Sequence, residues 1–240
     1  MRRVLALLAV VALFAVACDG ADVNRWRIEN GLPPLDPATA AEVARVFTAI
    51  EVELQRRATF VGEVHGVSAA RLGSSWRPGC PVGPSQLRLL RLSYHGFDGQ
   101  THIGELVVHH ALAGGVVAVF RTLFEEKFPI RVMRTVEQYG SSDDASMAAD
   151  NTSGFNCRTV KGSSSWSRHA FGQAIDVNPI ENPYVIGWVV DPPAGYAHTN
   201  RSTPALGKIR SGDVAQRAFA DHGWSWGGYW NNPDYQHFSA

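Results

Sequence analysis

Hydrophobic positions recur along this chain with two different periods. From Pro37 to about Arg57, Val43, Val46, Phe47, Ile50 and Leu54 return at helical spacing, which predicts an amphipathic helix. Leu87 to Tyr94 and Thr101 to His109 flank Gly96-Phe97-Asp98-Gly99, the pattern of a β-hairpin. Val116 to Phe128 then predicts a second amphipathic helix, with a strand over Pro129 to Val136 and a short one over Gln173 to Val177. A last helix is expected from Asp213 to His222, with Asp213 near its start and Gly223 as its stop. Between these, residues 72–85 concentrate Gly and Pro, and residues 140–168 are rich in Ser, Asp, Asn and Gly and read as a long loop. Loops of that length in compact domains are usually functional or disordered. No internal repeat and no second linker interrupt the pattern. The expected architecture is a single α+β domain over residues 39–240, a small antiparallel sheet with flanking helices. A polar tether over residues 18–38, marked by Gly31 and Pro33-Pro34, precedes it.

The first residues change the picture of where the protein works. Arg2 and Arg3 are followed by the uncharged run Val4 to Val16, 13 residues long, where a bilayer-spanning helix takes about 20. A basic start, a short apolar stretch and small residues are the parts of a removed export signal over residues 1–17. Two cleavage readings compete. Ala15-Val16-Ala17 fits the small-x-small rule, while the same segment ending at Cys18 resembles a bacterial lipoprotein box, with Cys18 lipidated. The second is preferred, which places the protein on the outer face of the cell membrane through a lipid anchor; the first would release it to the cell wall.

Composition and charge exclude more than they assign. With 45% hydrophobic residues the chain is neither disordered nor fibrous. Its 22 basic and 22 acidic residues balance, and loss of Arg2 and Arg3 with the signal leaves a net charge of −2, so no nucleic-acid partner is expected. A monomer is expected. Cys80 and Cys157 remain after Cys18, and in an oxidising compartment a disulfide is favoured over two buried thiols or a Cys157 constrained by an active site. Two cysteines are too few for a thiolate zinc knuckle.

Of the nine histidines, His65, His95, His102, His109, His110 and His198 have no partner at informative spacing and read as structural. His169 differs. It lies in Ser167-Arg168-His169-Ala170-Phe171-Gly172-Gln173-Ala174-Ile175-Asp176. Seven apart on one straight strand, His169 and Asp176 would face opposite sides; they converge only if the chain bends, and Gly172 supplies the place. Asp176 sits in the apolar Ala174-Ile175-Asp176-Val177, where a carboxylate is expensive unless paired or bound to metal. The tail adds Asp234-Tyr235-Gln236-His237. Two histidines and an aspartate, with one more carboxylate nearby, match a catalytic zinc site holding one Zn2+: three protein ligands, an open position for water, and a base.

Ser-x-His-x-x-Gly-x-Ala-x-Asp followed by carboxylate-x-x-His resembles the zinc D-alanyl-D-alanine carboxypeptidase and L-alanyl-D-glutamate endopeptidase family of bacterial cell-wall peptidases. The likeness extends upstream through Gly104 to His109, Phe128-Pro129-Ile130 and Asn151 to Arg158, and downstream through Asn182-Pro183-Tyr184 and Gly223 to Gly228. It implies the D-Ala-D-Ala peptidase-like (hedgehog-like) fold, with His169, Asp176 and His237 as metal ligands and Asp234 as the base, where many members place Glu. Arg158 is expected to hold a substrate carboxylate by two-pronged pairing, with a surface ion pair as its alternative. Ser167 is expected to position the His169 loop, Arg134 to offer a second anion contact, and Trp226, with Trp224 and Trp230, to line the cleft or the core. The expected activity is hydrolysis of peptidoglycan stem peptides, first as a D-Ala-D-Ala carboxypeptidase. An endopeptidase cutting elsewhere in the stem, or a non-catalytic zinc module that binds cell wall, are the alternatives; a solute-binding lipoprotein would need a two-lobed organisation the sequence does not display.

Overall fold

The computed structural model describes residues 19–240, so the expected signal segment and Cys18 lie outside the described residues. The chain divides into two compact units, Met1–Thr59 and Phe60–Ala240.

Among the described residues the first unit contains two helices, α1 (Gly20–Glu29) and α2 (Pro37–Thr59). The helix α1 falls inside the segment expected to be a tether. Asp19 explains it, because its side chain accepts from the Ala21 and Asp22 amides while Asp22 reciprocates in a capping box. The Gly/Pro-bearing connection is also ordered: Asn24 donates to the Leu35 carbonyl at 3.0 Å and accepts from the Leu35 amide at 2.7 Å. Asp36 then accepts from the Ala38 and Thr39 amides at the start of α2.

The second unit holds the chemistry. Its hairpin is β2 (Leu87–His95) and β3 (Thr101–His109), paired antiparallel from Leu87 opposite His109 to His95 opposite Thr101. A polar edge strand not foreseen from its sequence, β1 (Gly62–Gly66), adds to β2. The short helix α3 (Ala69–Leu72) follows, capped by Ser68. Helix α4 (Ala113–Glu125) starts three residues before the expected Val116. Its buried Val116, Val119, Phe120 and Leu123 pack in one cluster with Leu90, Leu92, Leu106 and Val108 of the hairpin. Each fully buried side chain of this kind contributes roughly 1.5–3 kcal/mol.

The strand expected over Pro129 to Val136 shrinks to β4 (Val132–Met133), and a 3-10 turn over Val136–Tyr139 follows after Arg134 and Thr135. The expected loop over 140–168 contains α5 (Asp143–Ala148) and β5 (Asn151–Thr152), which pairs parallel with β4. Ser142 accepts from the Ala145 amide, and Asp143 and Asp144 occupy the first turn, where carboxylates suit the helix dipole. A second antiparallel sheet runs β6 (Ala174–Asp176), β10 (His237–Ser239) and β9 (Ser225–Trp226), with β10 central. A small hairpin, β7 (Tyr184–Ile186) and β8 (Val189–Asp191), and helix α6 (Val214–Ala220) complete the unit. Phe238 of β10 stacks on Phe219 of α6 at 3.9 Å and joins the main cluster.

Cys80 and Cys157 form a disulfide with Cα atoms 5.9 Å apart, beside a smaller cluster of Leu72, Val82, Leu87, Val107 and Phe155. Among the described residues no helix is long and apolar enough to cross a membrane. The architecture is α+β, as expected.

Candidate metal centre

Three buried side chains meet at the ends of β6 and β10. His169 sits on a 3-10 turn over Arg168–Phe171, which Ser167 opens by accepting the His169 amide at 3.3 Å. The turn ends at Gly172, with φ of +67°, and a Cβ there would lie 2.6 Å from the His109 nitrogen. Only glycine fits both demands, and the reversal it permits carries the chain from His169 into β6. Asp176 ends β6, directly opposite His237 in the β10 register. Residues opposed across an antiparallel pair share a face, so this register alone brings the two side chains together.

The three donor atoms lie within 4.8 Å of one another. His169 Nε2 is 3.0 Å from Asp176 Oδ2, His237 Nδ1 is 2.9 Å from Asp176 Oδ1, and the two ring nitrogens are 3.3 Å apart. His169 Nδ1 lies 2.7 Å from the Gly154 carbonyl. A carbonyl only accepts, so Nδ1 carries the hydrogen and the Nε2 lone pair faces Asp176 and His237. Such an outer hydrogen bond is the usual way a ligating imidazole is oriented. Burial opposes ionisation of Asp176, but the two imidazoles outweigh it and hold the carboxyl below the usual range. His237 is raised in turn: burial disfavours its charge, and the Asp176 carboxylate more than compensates. Because His169 Nε2 presents a lone pair, the 3.3 Å approach requires either a hydrogen on His237 Nδ1 or a cation between the two nitrogens. Two imidazole nitrogens and a carboxylate, nearly sealed from water, fit a zinc ion.

Asp234 stands beside this set. Its amide donates to the Gly227 carbonyl at 3.0 Å, and its own carbonyl accepts from the His237 amide at 3.2 Å. A Cβ at Gly227 would come within 2.6 Å of that carbonyl, so the approach requires glycine. Oδ1 of Asp234 is enclosed with no hydrogen-bond partner. Burial and the charge of Asp176 push its carboxyl up to about 7, against the pull of His237.

The remaining expected residues divide. Arg158 is at the site but not alone: Nη2 pairs with Asp143 Oδ2 at 2.8 Å, and Nε is enclosed without an acceptor. Asp143 is raised by burial, with Arg158 opposing and Asp176 adding to the rise. Ser167 is buried and its hydroxyl is spent on the His169 amide, so it holds the turn rather than facing a substrate. Arg134 lies elsewhere, lining a cavity of about 570 Å³ with Arg91, Tyr94, His102 and Glu105 that includes none of the three metal-ligand candidates. Trp226 is also not a cleft residue. It is buried, its Nε1 donates to the Tyr235 carbonyl at 2.9 Å, and with Trp224 it belongs to the core. Trp230 is the tryptophan at the site, half exposed with its ring 5.3 Å from that of His237.

Sequence reasoning missed Asp143 and Tyr184. The Ser142-Asp143-Asp144 run is a helix-start signal, yet it does not tell which carboxylate meets Arg158. Tyr184 of β7 bridges to Asp234 through the backbone, and its hydroxyl is raised by burial and by the Asp234 charge. On the rim, Lys161 reaches both Asp144 at 3.2 Å and Asp191 at 3.4 Å.

Comparison with curated proteins and with solved structures yields no match. A family model described as D-alanyl-D-alanine carboxypeptidase matches residues 161–240. That span holds His169, Asp176, Asp234 and His237, the residues whose geometry has just been described. Over residues 161–240 the chain is therefore similar to the D-alanyl-D-alanine carboxypeptidase family of peptidases.

Proposed function

We propose that the protein is a zinc-dependent peptidase acting on the peptide stems of peptidoglycan, and that it removes a terminal D-Ala as a carboxypeptidase. The observation that carries this reading is the convergence of His169, Asp176 and His237 donor atoms within 4.8 Å beside an unpartnered Asp234 oxygen. His169 Nε2, Asp176 and His237 Nδ1 would hold the ion, which supplies a Lewis acid and makes water nucleophilic near neutral pH. Asp234 takes the proton of the attacking water on its enclosed Oδ1 and returns it to the leaving amine. Arg158 binds the carboxylate of the substrate. Ser167 and the Gly154 carbonyl keep the His169 ring in place.

One observation favours a second reading. Because Asp143 already neutralises Arg158, the pocket would also suit an internal peptide bond, as an endopeptidase needs. The export route through residues 1–17, the lipid anchor at Cys18 and a monomeric state accompany this proposal.

The test is metal analysis of the purified protein followed by incubation with intact muropeptides, read by mass. One equivalent of zinc and loss of a single terminal Ala are expected; two larger fragments would establish the endopeptidase. The Asp234→Asn variant should retain its zinc and lose at least ~100-fold in kcat. Full zinc with no product from any stem would leave a cell-wall-binding module, and hydrolysis unchanged in Asp234→Asn would remove the base assignment.

A further inference from the structure

We propose that Asp143 is a positioning residue that fixes the Arg158 guanidinium as a clamp for the carboxylate of the substrate; the inference rests on the peptidase reading above. Arg158 carries a long, flexible side chain, and its backbone is well held. Its amide donates to the Asn156 carbonyl at 2.8 Å, its carbonyl accepts from the Ser167 amide at 3.1 Å, and the disulfide fixes the preceding Cys157. The guanidinium has a single strong protein partner, Asp143 Oδ2 at 2.8 Å. Nη1 reaches only the Thr159 carbonyl, at 3.5 Å, and Nε is enclosed with no acceptor.

A guanidinium offers five N–H groups in a rigid fork. Asp143 engages one terminal nitrogen and leaves Nε and much of the fork unspent. Enclosed N–H groups without partners are costly, and here the cost stands near the metal centre: Asp143 feels the charge of Asp176, and His237 that of Arg158. An incoming carboxylate is the chemistry that satisfies those donors. Asp143 is itself anchored, as the first residue of α5 behind the Ser142 cap. Its own charge also keeps the empty clamp neutral, so the guanidinium does not repel a cation at the neighbouring metal centre.

The experiment measures binding of D-Ala-D-Ala and of its carboxamide to the zinc-loaded full chain by calorimetry, with zinc content and melting temperature recorded for each variant. The wild type should bind the free acid more tightly than the amide. Asp143→Asn should weaken the acid about tenfold and leave the amide unchanged, and Asp143→Glu should recover part of the loss. Zinc content should stay at one equivalent. If Asp143→Asn does not fold, Asp143→Glu still serves, because a displaced charge should weaken the acid selectively. Equal losses for acid and amide would reduce Asp143 to a structural role. Tighter acid binding by Asp143→Asn would show that Asp143 competes with the ligand, and an absent acid preference in the wild type would also overturn the proposal. Failure here with stem peptides still cleaved leaves the peptidase reading intact. An Asp143-dependent acid preference without cleavage would sink that reading and reduce this one to a carboxylate clamp for a bound, uncleaved ligand.

Discussion

Asp150 and Glu181 form a second buried acidic pair, away from the metal centre, and they set a pH dependence. Glu181 is 4% exposed and one of its oxygens has no partner. Burial, then the hydrogen bond to Asp150 and its charge, push its carboxyl up to about 8 from an ordinary 4.5. The folded state therefore binds a proton that the unfolded chain has released. Its stabilising share is full below pH 4.5 and is lost as pH rises through about 8, a few kcal/mol at most. Thermal melts should show Glu181→Gln closing much of the gap between the wild-type stability at pH 5 and at pH 8.5; an unchanged gap would place the proton elsewhere. At this scale the sequence was legible where chemistry and cost coincide. A carboxylate in Ala174-Ile175-Asp176-Val177 demands partners, and His169 and His237 were the available ones. Arg134 was not legible, because nothing in its neighbours tells which cavity it lines. Trp226 could have been read better: Trp224 and Trp226 are two apart, so strand alternation puts both on one face, and that face is the core.

Elements with a strong period were readable and those held by tertiary contacts were not. The β2–β3 hairpin matches its expected limits to within a residue, because long alternation around a Gly-bearing turn has few other solutions. In contrast β5, β6, β9 and β10 have two or three residues each, too short for periodicity to speak, and they exist because their partners do. Helix α5 was hidden by the Ser/Asp composition of its surroundings, although that composition is also what caps it. The dependence of short strands on one another makes the tail decisive. Deleting Gln236 to Ala240 removes the central strand of the β6–β10–β9 sheet, one metal-ligand candidate and the Phe238–Phe219 stack. The truncated protein should bind less than about a tenth of an equivalent of zinc and lose its sharp melting transition; near-stoichiometric metal would contradict the site.

For the molecule as a whole, the Cys80–Cys157 bridge closes a loop of 77 positions and ties the segment before α4 to the residue preceding Arg158. Chain entropy gives about 4.5 kcal/mol as the upper end of its contribution. The double Cys80→Ser, Cys157→Ser variant should unfold at a lower denaturant midpoint by up to that amount, measured against the oxidised wild type. The division after Thr59 was not legible, because a helical period over residues 37–57 does not tell to which compact unit the helix belongs. Lys161, finally, spans from Asp144 beside the Arg158 clamp to Asp191 at the base of the β7–β8 hairpin, and all three charges are open to solvent to different degrees. Contacts of this type are each worth under about 1 kcal/mol and fade as ionic strength rises. The link that Lys161 makes between α5 and the β7–β8 hairpin is thus weak enough to open and re-form within ordinary thermal motion.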